Sequence, residues 1–244
     1  MRFSKMHGAG NDYVFIDGRG VEETDWPSLA AKVSDRHFGI GSDGLIVAVP
    51  SDVADIRMRM WNADGSESEM CGNGIRCFAK FVLERGAAPG AAPDALRVET
   101  GAGVLSVEPG WDERGRVAYA KVDMGEPALR AADVPVDPAQ LGASDYARLD
   151  RALLDALGLR AEETVFDAEI SGAGERFAVT AVATGNPHAV AFIETPVAQV
   201  ALERIGPAIE HHAAFPNRVN FHIANLKGRG RVVMRPWERG SGLT

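Results

Sequence analysis

Residues 62–77 read NADGSESEMCGNGIRC, which places a cysteine, Cys71, directly before Gly72-Asn73-Gly74 and a run with helical spacing. A thiol at a helix N-terminus sits beside unpaired backbone N–H groups and the positive end of the helix dipole, and both favour the thiolate. The same N–H groups bind carboxylates, and glycines let a ligand approach the backbone closely. The stretch therefore offers a base or nucleophile beside an anion cradle. One such thiol suits nucleophilic attack or a single proton transfer. Two, from two facing segments, suit removal of a proton from one face of a carbon and delivery to the other.

The other cysteine is Cys77. On a helix, positions six apart point to different faces, so the two cannot bridge, and without neighbouring histidines they make a poor zinc site. Cys77 lies inside the periodic run and reads as a small buried hydrophobe. The rest of the 244 residues fits a soluble protein: 45% are hydrophobic and 25% charged. A net charge of −8 argues against a nucleic-acid partner. No run approaches the ~20 apolar residues that span a bilayer. The N-terminal MRFSKMHGAGND has no apolar signal core. A cytoplasmic location without a membrane partner is expected.

The elements that must hold these residues alternate in period. Phe3–Met6 and Tyr13–Asp17 read as strands around the turn HGAGND, and Thr24-Asp25-Trp26-Pro27 opens a helix. Leu45–Val49 and the alternating 56–60 are strands, broken by the turn Asn62–Ser66. Ile75, Phe78, Ala79 and Val82 share a helical face, and Gly86 ends that run. AAPGAAP, 87–93, reads as a loop. Beyond it, strands are expected at 96–99, 104–107, 117–122, 177–183, 189–193, 218–224 and 231–237, with helices at 148–157 and 198–205. Many short strands without regular strand–helix alternation indicate an α+β protein.

Two segments recur. Gly10-Asn11-Asp12 with its apolar run resembles Gly185-Asn186-Pro187-His188 with its own, and Arg59–Ser66 resembles Arg235–Ser241. Asn11 to Asn186 is 175 residues and Trp61 to Trp237 is 176. A duplicated unit is expected, with halves at 1–115 and 116–244. A counterpart of Cys71 then falls near position 247, beyond Thr244.

MHGAGNDYVFID, RHFGIGSDGLIV, WNADGSESEMCGNGIRCFAKFV, ATGNPHAVAFI, FPNRVNF and WERGSGLT together closely resemble the diaminopimelate epimerase family, in its order and over nearly the whole chain. The resemblance implies a cofactor-independent epimerase that interconverts LL- and meso-diaminopimelate for lysine and cell-wall peptide. It also implies two pseudo-symmetric halves, each a curved sheet around a central helix, and a homodimer. Carried over residue by residue, it makes Cys71 a catalytic thiol, with Gly72 and Asn73 holding the α-carboxylate. Asn11, Asn62, Asn186 and Asn220 become substrate ligands. His188 and Glu238 tune a thiol, and Glu238 with Arg239 binds substrate. Asparagines suit a doubly zwitterionic substrate because they donate and accept without net charge.

Taken singly, the same residues have plainer readings. A lone asparagine beside a glycine is usually a turn former, and Glu238-Arg239 alone would be a solvated pair. His211, His212, Lys5 and Arg76 read as structural. Pro236 in a strand and Leu243 at a commonly acidic position depart from the family pattern, as does the stop before the second cysteine and the second central helix. Residues 1–244 alone are therefore expected to give little or no epimerisation. The alternatives are a cofactor-independent racemase of another amino acid and a thiol enzyme with Cys71 as nucleophile beside His188.

Overall fold

In the computed structural model all residues are described except Glu22, Glu23, Pro89 and Pro93. The last two belong to the expected loop at 87–93 and lie outside the described residues. The chain divides into two units, Met1–Gly125 and Glu126–Thr244.

In the first unit, β1 (Phe3–Gly8) and β2 (Asn11–Asp17) form a hairpin. Its two connecting residues, Ala9 and Gly10, both have positive φ, 55° and 96°, as a I′ turn requires. Next come α1 (Trp26–Ser34), capped by Asp25, then β3 (Gly44–Val49), β4 (Ile56–Asn62) and the short β5 (Glu67–Ser68). Helix α2 (Gly72–Glu84) follows, then β6 (Leu96–Thr100), β7 (Gly103–Trp111) and β8 (Val117–Asp123). The sheet order is β1-β2-β3-β4-β6-β7-β8, with β5 on β4.

The apolar runs of β2 and β3 are continuous because both sheet faces are covered. Tyr13, Phe15, Ile46 and Ala48 turn toward α2, while Val14, Ile16, Leu45 and Val47 pack with Ala30 of α1 and Trp61. Helix α2 buries Ile75, Cys77, Phe78, Ala79, Phe81 and Val82, a wider face than one amphipathic stripe. It packs on β1, β2, β3, β7 and β8, so it is the central helix of this unit.

The second unit contains α3 (Arg151–Ala156), β9 (Ala168–Gly172), β10 (Glu175–Ala183), β11 (Pro187–Phe192), α4 (Leu202–Glu210), β12 (Asn220–Leu226), β13 (Val232–Glu238) and β14 (Gly242–Leu243). Its sheet runs β14-β13-β12-β11-β10-β9, and Leu202, Ile205 and Ile209 of α4 pack into its core.

The repeat is present in the elements. Helices α1 and α4 begin at 26 and 202 and end at 34 and 210, and β4 and β13 span 56–62 and 232–238, all 176 residues apart. Pairing repeats too: β2–β3 and β11–β12 are parallel, and β3–β4 and β12–β13 antiparallel. No helix in residues 126–244 corresponds to α2.

Several expectations are corrected. Strand β8 pairs with β7, so the first unit extends past 115 to Gly125. The helix expected at 148–157 is confined to Arg151–Ala156, opened by Asp150 as cap and closed at Gly158, whose φ is 63°. The helix expected at 198–205 begins at Leu202 and continues through Gly206-Pro207 to Glu210, because burial of Ile205 and Ile209 outweighs a helix-breaking pair. Pro236 remains within β13, whose pairing with β14 begins only at Trp237, so one side of the strand bears no ladder at the proline.

Phe78 is fully buried on α2. Phe78→Ala is expected to cost about 3–5 kcal/mol in the first unit's transition, read by chemical denaturation. A loss below about 1 kcal/mol contradicts the central place given to α2.

Candidate active site

Cys71 is the N-cap residue of α2, with extended backbone at φ −137° and ψ 121°. Its Sγ accepts the Gly74 N–H at 3.4 Å, and its carbonyl accepts the Ile75 N–H at 2.8 Å. The N–H groups of Gly72 and Asn73 have no acceptor among the described residues. A Cβ built on Gly72 would meet nothing within 4 Å, so there is open space beside the helix tip. The tip is held by close approach on two sides. A Cβ on Gly8 would lie 2.9 Å from the Asn73 carbonyl oxygen, and one on Gly74 2.7 Å from Ile46 Cδ1.

Two side chains meet the thiol and a third braces one of them. Cys71 Sγ donates to Asn11 Oδ1 at 3.3 Å and accepts from the Tyr13 hydroxyl at 3.4 Å. Asn73 Nδ2 reaches the same Asn11 oxygen at 3.5 Å. Arg76 donates to Asn73 Oδ1 and to the Gly72 carbonyl at 3.1 Å, a structural role that orients Asn73. Asn62 ends β4, buried, its Nδ2 on Ser66 Oγ at 3.0 Å. Its register partner is Gly44, which also pairs with Tyr13, so Asn62 lies at the same end of the sheet as Asn11. Burial raises the Cys77 thiol, which remains a core residue.

Tyr13 and Asp43 were not singled out in the sequence. The signal for Tyr13 was there, because residues two apart on a strand share a face and Asn11 is two before it. Asp43 accepts Asn11 Nδ2 at 2.8 Å, but it lies 32 residues away and only the parallel β2–β3 register brings it near.

The second unit gathers the other expected residues. His188 Nε2 meets Asn186 Oδ1 at 2.6 Å, and its Nδ1 meets His222 Nε2 at 2.8 Å. With an oxygen facing Nε2, that nitrogen carries the proton and Nδ1 accepts from His222. His222 Nδ1 is then a bare acceptor, buried with no partner among the described residues. Asn220 uses both ends of its amide on backbone: Nδ2 on the Pro187 carbonyl at 3.2 Å and Oδ1 on the Arg239 N–H at 2.8 Å. Arg239 is buried, not the solvated residue a lone Glu-Arg pair suggests, and donates to the Asn217 carbonyl at 3.0 Å. Glu210, also unread in the sequence, is a buried carboxylate that accepts Trp237 Nε1 at 2.8 Å and Gly240 N at 3.1 Å, which fixes the turn bearing Glu238 and Arg239. No group of three or more metal-binding side chains is placed to hold an ion, and no helix is long and apolar enough to cross a membrane, among the described residues.

Burial, with Arg239 adding charge repulsion, lowers His188 to about 4. Burial, then His188, lowers His222 to about 3. Both are neutral in the fold, whereas the unfolded chain protonates near the ordinary 6.5. Between those limits the unfolded state binds more protons, so stability falls as pH drops from about 6.5 toward 4, by up to ~1.4 kcal/mol per pH unit per histidine. Urea titrations across this window are expected to show that slope, reduced by about half in His222→Phe. An unchanged slope in the variant excludes His222 as a contributor.

The sequence matches the family model described as diaminopimelate epimerase over residues 3–130 and 180–244. It is 46% identical to the diaminopimelate epimerase of Desulfovibrio desulfuricans and 45% identical to that of Acetivibrio thermocellus. Each comparison covers 100% of this chain and 78% of the relative. Among solved structures, a probable proline racemase from Agrobacterium radiobacter superposes with a TM-score of 0.59 at 13% identity, over 99% of this chain and 71% of that one, a likeness of fold. On sequence, the chain belongs to the diaminopimelate epimerase family.

Proposed function

We propose that the protein epimerises diaminopimelate, interconverting the LL and meso forms on the route to lysine, with Cys71 as one of the two bases. The observation that carries this reading is the Cys71 thiol capping α2 beside the outward N–H groups of Gly72 and Asn73. An amino-acid α-proton is weakly acidic, so the site has to stabilise charge that develops on the carbon and its carboxylate. Fixed N–H dipoles at a helix tip do that without reorganising during the reaction. The thiolate removes the proton while two donors, Tyr13 Oη and Gly74 N, stay on its sulfur.

Asn11, Asn62 and Asn73 are proposed to hold one amino-acid centre, with Asn186, Asn220, Glu238 and Arg239 as further ligands. His188 is proposed to tune a thiol, as is Glu238. We also propose a homodimer in the cytoplasm. Cys77 is excluded as the second base by its burial.

Exchange of the α-hydrogen with solvent needs one base whose S–H itself exchanges. Inversion needs a second base on the opposite face. Incubated with diaminopimelate in D2O without added cofactor, the protein is expected to incorporate deuterium at the α-carbon. Cys71→Ala is expected to lower incorporation by about 10²–10⁴-fold, and Cys77→Ala to preserve it. Incorporation that persists in Cys71→Ala removes Cys71 from the mechanism. A panel of other amino acids, proline and hydroxyproline included, tests the substrate.

A further inference from the structure

We infer that Asp43 is a positioning residue for Cys71, acting through the side-chain amide of Asn11. The inference deepens the role proposed for Cys71, and its test does not depend on turnover.

A carboxylate only accepts hydrogen bonds. Asp43 Oδ2 faces Asn11 Nδ2 at 2.8 Å and the Asp12 N–H at 2.8 Å, while Oδ1 takes Arg36 Nη2 at 2.9 Å. The Asn11 group that meets Asp43 must therefore be its NH2. That fixes the amide oxygen toward Cys71 Sγ, at 3.3 Å. The opposite side imposes the same polarity. Arg76, a donor only, takes Asn73 Oδ1, which turns the Asn73 NH2 toward that Asn11 oxygen. The chain of bonds thus runs between two arginines, and every amide within it has one permitted orientation.

The consequence falls on the thiol. An oxygen facing Sγ accepts from S–H but has nothing to offer S⁻. Asn11 held in this orientation favours the protonated thiol, against the Tyr13 hydroxyl and the Gly74 N–H, which favour the thiolate. A thiolate formed in such a site is the stronger base. The ionisable and charged groups around it are Tyr13 on β2, Arg76 on α2, and Asp43, Asp12, Arg36 and Lys5 behind Asn11. Burial alone would raise the Asp12 carboxyl, but hydrogen bonds from Arg36 and Lys5 outweigh it and hold it below the usual range.

The test is the pH dependence of Cys71 alkylation by iodoacetamide in a Cys77→Ala background. In Asp43→Asn the Asn11 amide is released to turn its NH2 to sulfur, and the midpoint is expected to fall by on the order of one pH unit. Asp12→Asn removes the same charge without releasing Asn11, and is expected to shift the midpoint less. In an Asn11→Ala background, Asp43→Asn is expected to have no further effect beyond the Asp12→Asn shift. An unchanged midpoint in Asp43→Asn, a shift equal to that of Asp12→Asn, or a full effect that persists without Asn11 overturns the inference. Should Asp43→Asn fail to fold, Asp43→Ser, which also removes the acceptor-only carboxylate and frees the Asn11 amide, is expected to lower the midpoint in the same direction, and no fall overturns it. Loss of alkylation pH dependence altogether would instead contradict the role of Cys71 as a base.

Discussion

The hydrogen bond from the Gly74 N–H to Cys71 Sγ joins the fold to the chemistry. A helix start needs a side-chain acceptor, and oxygen from Ser, Thr, Asp or Asn usually supplies it. Here sulfur does so, which ties the proposed base to the first turn of the most deeply buried helix in its unit. Everything that fixes α2 then fixes the thiol: the apolar face of Ile75, Phe78 and Val82, and the close approach of β1 and β3 at Gly8 and Gly74. The same geometry turns the first helical N–H groups outward beside the sulfur. The proposed base and the proposed anion cradle thus share one rigid element, which is what proton abstraction next to a carboxylate requires.

The sequence makes the first unit's chemistry legible because it is local. Cys71, Gly72 and Asn73 are adjacent, and glycines, a period change and a turn mark the helix start without any knowledge of the sheet. Most strands are likewise visible from their apolar runs. Asp43 and Tyr13 were missed because their roles depend on register. Asp43 meets Asn11 only once β2 and β3 pair in parallel, and no local pattern specifies that pairing. The same holds for His222, whose ring nitrogen meets His188 across β11 and β12. The helix through Gly206-Pro207 escapes the sequence pattern for another reason: intrinsic propensity and core burial disagree there, and burial wins.

Buried acids act as organisers in both units. Asp43 gathers an amide, a backbone N–H and a guanidinium, and Glu210 gathers an indole, a backbone N–H and Arg218. Neither carboxylate belongs to the residues proposed to touch substrate. Asp43 fixes the polarity of a group proposed to do so, Asn11, and Glu210 fixes the turn that bears two others, Glu238 and Arg239, which a hydrophobic replacement of equal volume could not achieve. The surrounding structure thus carries information about direction as well as position.

The spacing of 176 residues between matching elements has an evolutionary reading. The pairs α1 and α4, and β4 and β13, have kept identical bounds while their side chains diverged. Asn62 and Glu238 occupy the same place at the end of a strand, one neutral and one acidic. Divergence was therefore permitted in chemistry and resisted in length, as expected when each copy must keep its strand register to keep a core. A gene duplication that freezes the backbone of these elements and frees their side chains yields copies alike in local fold and uneven in chemistry. Unevenness of that kind is what interconverting two stereochemically different forms demands.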